Sequence, residues 1–427
     1  MKKVFMIAYQ YPPVGGPGVQ RTLKFTKYLR DFFWEPVVLT RNNGGFLADE
    51  TLLSEIPTGM EVIRTKAYDF ESAKGILKYP SKILARKILM PDSAVVWYKA
   101  SLKKAVQYIE SNKPDVLYST SFPYSDHLMA LRIKKRFPKL PWVADFRDEW
   151  MNNPYLLDNP YNSIRMGIER RMERDVIAYA DRVIANTPVM MRNFIRTYKE
   201  YEHKFSCIPN GFDKEDFADY QTLEKPEKNE KLTITYTGML YGRRKPDLFL
   251  ECLRELIDEH VISEGQITVK FIGKFLPGYF DRLNERYGLQ NVIRVYDYMP
   301  HKECIKMLLQ SDLLLLIEGA GPGGEAFYTG KLFEYMNAGR PIIAVIPGSG
   351  VAADLIKESR TGYVADSEDK NQILRMLTNV WQLWKNNKLE YKPDYEVINR
   401  FERRNLTCQL AALFNECTEV NHETDRR

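Results

Sequence analysis

No apolar run in the 427 residues approaches the ~18–20 needed to cross a bilayer. The longest tight run, Leu313–Ile317, is far shorter, so no membrane-spanning helix is expected. Lys2 and Lys3 before Val4, Phe5, Met6, Ile7 and Ala8 imitate a signal peptide, but Tyr9, Gln10, Pro12 and Pro13 follow at once. A first buried strand is the expectation there. The five cysteines (Cys207, Cys252, Cys304, Cys408, Cys417) are odd in number, scattered and never in a CxxC pair. That excludes a disulfide framework and a zinc motif and fits a reducing cytoplasm. Charge of one sign is not in large excess: the net +6 permits attraction to phosphates or anionic lipid, and no nucleic-acid partner is expected. No DxD pattern stands at a suitable strand end, so no metal is expected; Asp366 to Asp369 reads as a surface turn. The glycine pattern of a dinucleotide site is missing too. Gly16 and Gly18 are followed by Arg21 where a third glycine belongs, and the second predicted strand ends at Thr40 with no acid for a ribose hydroxyl, which argues against a nicotinamide enzyme.

The length exceeds one ordinary core and favours two domains. Short β-branched runs alternate with helical patterns throughout, which predicts parallel sheets covered on both faces. In the first half the strands are expected at 3–9, 36–40, 61–65, 115–120, 141–145, 182–186 and 205–209. In the second half they are expected at 232–237, 267–272, 292–296, 312–317, 341–345 and 362–365. The polar stretch 219–231 between them has the composition of an interdomain linker. Residues 74–104 carry Lys74, Lys78, Lys82, Arg86, Lys87, Lys99, Lys103 and Lys104 against the single acid Asp92, with apolar residues interleaved. Such a stretch suits either an anionic membrane surface or a solvated helix face beside a cleft.

In open parallel sheets, ligands bind beyond the carboxyl ends of the strands, and the unusual loops fall there. The first, Tyr11 to Gly18, holds Gly15 and Gly16 between a strand and a helix, where amides approach a phosphate or sugar closely. A tight turn that only packs is the alternative. The second runs from Gly238 through Gly242 to Arg243, Arg244 and Lys245. Three consecutive cations suit a diphosphate, although not all three can point inward; a solvated cluster is the other reading. The third runs from Glu318 through four glycines to Glu325 and Lys331 and opens a helix over 330–338 that Gly339 terminates. Lys331 and Glu334 share one face of that helix. Lys331 lies near its start, where an anion is welcome, and Glu334 can accept two hydroxyl hydrogen bonds from a cis-diol. An ion pair between the two is the plainer alternative.

Together these stretches resemble the retaining glycosyltransferases of the GT-B fold, of the glycosyltransferase family 4 type. The resemblance covers nearly the whole chain. It rests on Pro12 to Gly16, Asp145 to Trp150, Ile208 to Asp213, Tyr236-Thr237-Gly238, Phe271-Ile272-Gly273 and the run from Lys331 through Glu334 and Gly339 to Pro341. It implies two Rossmann-like domains whose strand ends face each other across a cleft. Residues 1–220 would bind the acceptor and 221–395 the nucleotide sugar, with 396–427 a helix packed back on the first domain. It further implies a UDP- or GDP-sugar donor, no resident cofactor, and a glycan or lipid-linked hydroxyl acceptor in cell-surface polysaccharide or glycolipid synthesis. The location implied is cytoplasmic, with peripheral contact at the inner membrane face as an option.

By the same resemblance Glu334 binds the ribose hydroxyls, and Arg243, Arg244 or Lys245 after Gly238 holds the diphosphate. Gly15, Gly16, Gly238, Gly273 and Lys331 complete the donor set, and Asp148 and Glu325 are the catalytic candidates. The chain departs from the family in three places. Glu325 is one position off the usual spacing to Glu334, Met239 stands where an arginine is common, and the Asp145–Trp150 run lacks the frequent histidine. His127 and His301 are candidates by residue type alone. A non-catalytic partner that binds a nucleotide sugar and a nucleotide-sugar epimerase of the same fold are the competing readings.

Overall fold

The computed structural model describes residues 1–42, 48–67, 89–220 and 229–424. Lys74, Lys78, Lys82, Arg86 and Lys87 of the basic stretch lie outside these residues. Its remaining lysines, Lys99, Lys103 and Lys104, are exposed on the helix Val95–Asn112. Most of the polar stretch between the halves, residues 221–228, also lies outside them.

The chain forms two compact units, residues 1–210 with 403–427, and residues 211–402. The first contains the strands β1 (Lys2–Ile7), β2 (Trp34–Arg41), β3 (Val62–Thr65), β4 (Val116–Ser121), β5 (Trp142–Phe146), β6 (Arg182–Ala185) and β7 (Phe205–Cys207). They form one parallel sheet in the order β3-β2-β1-β4-β5-β6-β7. The second contains β8 (Leu232–Thr237), β9 (Ile267–Ile272), β10 (Ile293–Tyr296), β11 (Leu313–Ile317), β12 (Ile342–Ile346) and β13 (Gly362–Asp366), in the order β10-β9-β8-β11-β12-β13. Every strand expected from the sequence is present, shifted by at most a few residues at its ends.

Burial explains the patterns. The central strands β4, β5, β8, β11 and β12 are buried along their whole length, because helices cover both faces. The edge strand β10 buries only Ile293. Along β1, Phe5 and Ile7 enter one apolar core while Val4 and Met6 enter another on the opposite face, the alternation a pleated strand imposes.

The C-terminal segment differs from the single helix expected over 396–427. A short helix, Tyr395–Asn399, stops, and a second, Arg403–Thr424, begins after a break. Phe401 sits in the break and packs on Phe333 at 5.1 Å in the second unit, while its carbonyl accepts from the Phe212 amide at 3.1 Å. It therefore does not continue the apolar stripe of Leu406, Leu410 and Leu413. Those residues bury with Phe414 against the first sheet, where Phe414 meets the Trp34 ring at 5.2 Å. Two anchors in different units interrupt what reads in sequence as one stripe. Among the described residues, no helix is long and apolar enough to cross a membrane. All five cysteines are free thiols.

Candidate functional site

In each sheet the strand order reverses once, between β1 and β4 and between β8 and β11. Loops diverge at such a point and leave a crevice at the strand ends. In the second unit the loops after β8 and β11 meet there. Arg244 Nε donates to Glu318 Oε1 at 2.7 Å, and Arg244 Nη1 donates to the Tyr241 hydroxyl at 3.1 Å. Its guanidinium lies 5.1 Å from the Tyr241 ring and 5.7 Å from the Phe327 ring. Arg243 takes another course. It donates from Nη1 to the Pro322 carbonyl at 3.0 Å and runs so close to the glycine loop that a Cβ at Gly321 would stand 2.6 Å from its Cζ. Lys245 is exposed. The three cations thus part company: Arg244 is held among aromatic rings and a carboxylate, Arg243 braces the loop, and Lys245 faces solvent.

The ends of β8, β9 and β10 are tied by backbone bonds, Gly238 N–H to the Ile272 carbonyl at 2.8 Å and Gly273 N–H to the Tyr296 carbonyl at 3.0 Å. A Cβ at Gly273 would sit 2.4 Å from the Gly238 oxygen, so this approach requires glycine. The Tyr335 hydroxyl accepts from the Thr237 amide at 2.9 Å and fastens the helix Gly330–Ala338 to β8.

On that helix, the ammonium of Lys331 sits 3.8 Å from the centroid of the Tyr236 ring and makes no hydrogen bond, although its Nζ is sealed from solvent. It does not form the hydrogen-bonded pair with Glu334 that the sequence spacing allows. Burial first, then the charge of Arg244, pushes the Lys331 amine down to about 7, against the pull of Glu318 and Glu334. Burial likewise raises the Glu318 carboxyl above its ordinary value, against the pull of Arg244 and Lys331. Glu334 meets a second helix: its Oε1 lies 3.1 Å from His301 Nε2. Glu325 lies in the turn Gly324–Ala326, exposed, with its backbone close to Gly350 at the start of the helix Val351–Glu358. The Asp366–Asp369 turn caps locally: Asp366 accepts from the Gly348 and Glu368 amides, and Asp369 caps the helix Lys370–Lys385.

In the first unit, Gly15 is buried and Gly16 precedes the helix Pro17–Tyr28. Arg21 on that helix grips Asp145 at the end of β5 through two bonds of 2.7 and 2.8 Å and donates to the carbonyls of Pro209 and Ile208. Burial works against the Asp145 charge, yet Arg21 holds its carboxyl below the ordinary value. Arg147 donates to the carbonyls of Gly18, Ser121 and Phe122, joining the glycine loop to the loop after β4. Asp148 follows it, half-buried. Asp126 opens the helix Ser125–Arg136; its Oδ2 accepts from the Tyr9 amide at 2.8 Å, while its buried Oδ1 has no hydrogen-bond partner. Burial raises this carboxyl well above the carboxylate range. Nearby Asp92 is pushed up to about 6 by burial, against hydrogen bonds from Ser125 and Ala94. His127 is a core residue: its ring packs tilted against Phe146 at 4.4 Å between centroids, it shares a hydrogen bond with Ser119, and burial lowers it to about 3.

Gly238, Gly273, Arg243, Arg244, Lys331 and Glu334 thus gather at the strand ends of the second sheet, and Gly15, Gly16 and Asp148 at those of the first. Sequence reasoning passed over Tyr236 as the ring beneath Lys331, Glu318 as the partner of Arg244, His301 as the partner of Glu334, and Asp126. Position at a strand end beside a glycine was the signal for Tyr236 and Glu318. His301 and Asp126 begin helices directly after strand-end loops.

Two glycosyltransferase profiles match the chain: Glycosyltransferase Family 4 over residues 18–216, and Glycosyl transferases group 1 over residues 219–392. A D-inositol 3-phosphate glycosyltransferase of Streptomyces scabiei is 22% identical over 216 residues, 48% of this chain and 47% of that protein. The chain thus spans about half the length of that relative. Sucrose-phosphate synthase from Thermosynechococcus elongatus superposes with a TM-score of 0.68 at 14% identity, over 98% of this chain and 100% of that one. Anabaena HepE in complex with UDP superposes with a TM-score of 0.63 at 15% identity, over 97% and 100%. At these identities the structural likeness concerns the fold. With a glycosyltransferase profile on each half and two parallel-sheet units of this topology, the chain belongs to the GT-B-fold glycosyltransferases.

Proposed function

We propose that the chain transfers a sugar from a nucleotide diphosphate donor, bound by the second unit, to a hydroxyl of a glycan or lipid-linked glycan, bound by the first. The observation that carries this reading is the sealed, unbonded ammonium of Lys331, beside Arg244 and one helical turn from Glu334. An unpaired buried cation is costly by itself. A diphosphate between Lys331 and Arg244 would offset that cost with charge-assisted bonds of ~1.5–3 kcal/mol each. Glu334 would take the ribose diol, and amides of the glycine loop and of the helix start Gly330–Ala338 would take the sugar and the phosphate oxygens. The UDP complex of a structural neighbour supports the same class of donor.

In this reading the acceptor oxygen bonds to the anomeric carbon as that carbon's bond to the diphosphate breaks. The acceptor's proton passes to a departing phosphate oxygen, and attack from the leaving-group face retains the configuration. Charge growing on the diphosphate is met by Lys331 and Arg244, already in place. Because these cations supply the neutralising charge, the reading assigns no step to a metal. Asp148 and Glu325 are assigned to the acceptor and sugar ends respectively. The exposed lysines Lys99, Lys103 and Lys104 support peripheral contact with an anionic inner membrane face.

A thermal-shift screen of UDP, GDP, ADP and CMP identifies the base, since a ligand at 100 times its Kd stabilises by ~2.7 kcal/mol. Replacing Glu334→Gln is then expected to lower kcat/KM by ~10–100-fold. Wild-type turnover in that variant would remove the ribose role. Incubation of nucleotide sugars with and without acceptor separates the alternatives: nucleotide release supports transfer, isomerised donor without release supports epimerisation, and saturable binding without turnover supports a binding partner.

A further inference from the structure

We infer that His301 is a positioning residue for the nucleoside end of the donor: it fixes the Glu334 carboxylate so that its remaining acceptor sites are presented to the ribose diol. The inference rests on the reading of Glu334 as the ribose-binding group.

His301 is the first residue of the helix His301–Leu309, which follows Pro300 and the end of β10. Glu334 stands on the helix Gly330–Ala338, and the 3.1 Å contact between His301 Nε2 and Glu334 Oε1 joins the two helices by their side chains. A glutamate on a helix surface has three side-chain torsions, and ordering them costs on the order of 1–2 kcal/mol. A donor held on a separate helix spends that entropy before any ligand arrives. The carboxylate offers about four acceptor sites over its two oxygens. The imidazole N–H takes one of these sites, and a ribose diol needs two. The neutral Nε2–H tautomer and the imidazolium both donate at that nitrogen, so the arrangement does not depend on His301 being charged.

The neighbours fit this role. Lys331 lies one turn before Glu334 on the same helix, but its ammonium is over the Tyr236 ring and makes no hydrogen bond to the carboxylate. Cys304 lies one turn after His301. Burial, then the Glu334 charge, pushes its thiol up to about 12, so no thiolate competes there. The pair is also partly open to solvent, with side-chain exposures of 18% for His301 and 28% for Glu334. It is therefore reachable by a ligand.

The test measures discrimination between a ribonucleotide and its 2′-deoxy counterpart. UDP and 2′-deoxy-UDP serve as the probes, or GDP and 2′-deoxy-GDP if the guanine nucleotide stabilises the chain. Binding is measured calorimetrically on the full-length wild type and on His301→Phe, His301→Gln and Glu334→Gln, each first checked for a wild-type melting profile. Wild type is expected to favour the ribonucleotide by ~10-fold or more, the effect of one hydrogen bond to a charged group. His301→Phe keeps a ring without the N–H and is expected to reduce that preference to ~3-fold or less. It should raise the donor KM by ~5–10-fold while kcat changes less than ~3-fold. His301→Gln carries an N–H near the position of Nε2 and is expected to restore most of the preference, which a purely structural ring would not do. If His301→Phe keeps the full preference while Glu334→Gln loses it, the inference is overturned and the ribose reading stands. If Glu334→Gln also keeps it, the ribose reading fails and the inference goes with it. Should the phenylalanine variant fold poorly, the glutamine variant decides: loss of the preference in a folded His301→Gln protein overturns the claim that an N–H at that point is what matters.

Discussion

At the switch point of the first sheet, Arg21 and Asp145 neutralise each other through two short bonds, and Arg147 spends its guanidinium on three backbone carbonyls. At the switch point of the second sheet, the Lys331 ammonium faces an aromatic ring and has no hydrogen-bond partner. The strand order around the two crevices is alike and the treatment of charge is opposite. The first unit closes its cations on itself and keeps buried carboxyls, Asp126 and Asp92, raised toward the neutral form. The second keeps a cation depressed toward the neutral amine. A site whose cations are already satisfied has little to offer an anion and suits an uncharged hydroxyl. A site with an unsatisfied cation is prepared for a phosphate. In the proposed function, the shared topology supplies both crevices and the side chains assign the first to the acceptor and the second to the donor.

The largest effect that would break this contrast is on stability. Arg21→Met leaves Asp145 buried and uncompensated and strips donors from the Pro209 and Ile208 carbonyls, so a loss of ~3–5 kcal/mol is expected on denaturant unfolding. Lys331→Met should do the reverse to stability while harming activity. It removes a buried ammonium that has no hydrogen-bond partner, so the ligand-free protein is expected to melt at the same temperature or higher. Donor turnover should fall by ~10–150-fold in kcat/KM, the value of one charge-assisted bond. If Lys331→Met instead unfolded the protein as Arg21→Met does, Lys331 would be a structural cation like Arg21, and the contrast would be lost.

The strands were legible because their burial is simple: Leu313 to Ile317 is apolar at every position, and it is buried at every position. The helix Gly330–Ala338 was legible because its stop, Gly339, adopts the left-handed conformation that glycine favours. The C-terminal break was not, because Phe401 looks like one more member of an apolar stripe until its partners Phe333 and Tyr328 are known. Within the site, the residue types and the loops were readable, but the division of labour was not. Arg243, Arg244 and Lys245 are adjacent and alike in sequence. Only the position of Glu318, 74 residues later, selects Arg244 for the carboxylate. Likewise Lys331 and Glu334 have the spacing of an ion pair, and it takes Tyr236 and His301, from other elements, to hold them apart.

The smallest expected effect is also the sharpest separator, because the buried carboxyls Asp92 and Glu173 of the first unit and the buried amine Lys331 of the second should answer pH with opposite slopes. Asp92 rises from 3.8 to about 6 and Glu173 from 4.5 to about 7 through burial, against the bonds they accept. Between about pH 4 and 7 each of these two carboxyls therefore holds more proton in the folded protein than in the unfolded chain, while His127, lowered from 6.5 to about 3, works the other way. The stability the two carboxyls contribute is fully present below about pH 4 and is lost as pH rises through 6 to 7. Lys331 is displaced the other way, from 10.5 to about 7. Its contribution is present above 10.5 and is lost as pH falls through 7. A diphosphate favours its charged form, so donor binding above pH 7 must draw in a proton, and Kd should weaken by up to ~tenfold per pH unit there. Calorimetry of UDP or GDP binding in two buffers of different ionisation enthalpy reads this directly. Uptake is expected to be near zero at pH 6 and to approach one proton near pH 8. Lys331→Met should abolish it and leave the acid-side stability slope intact, and Asp92→Asn should reduce that slope, with Glu173 still contributing, and leave the uptake. Proton uptake that persisted without Lys331, or vanished with Asp92→Asn, would mean that the two crevices do not keep separate charge economies.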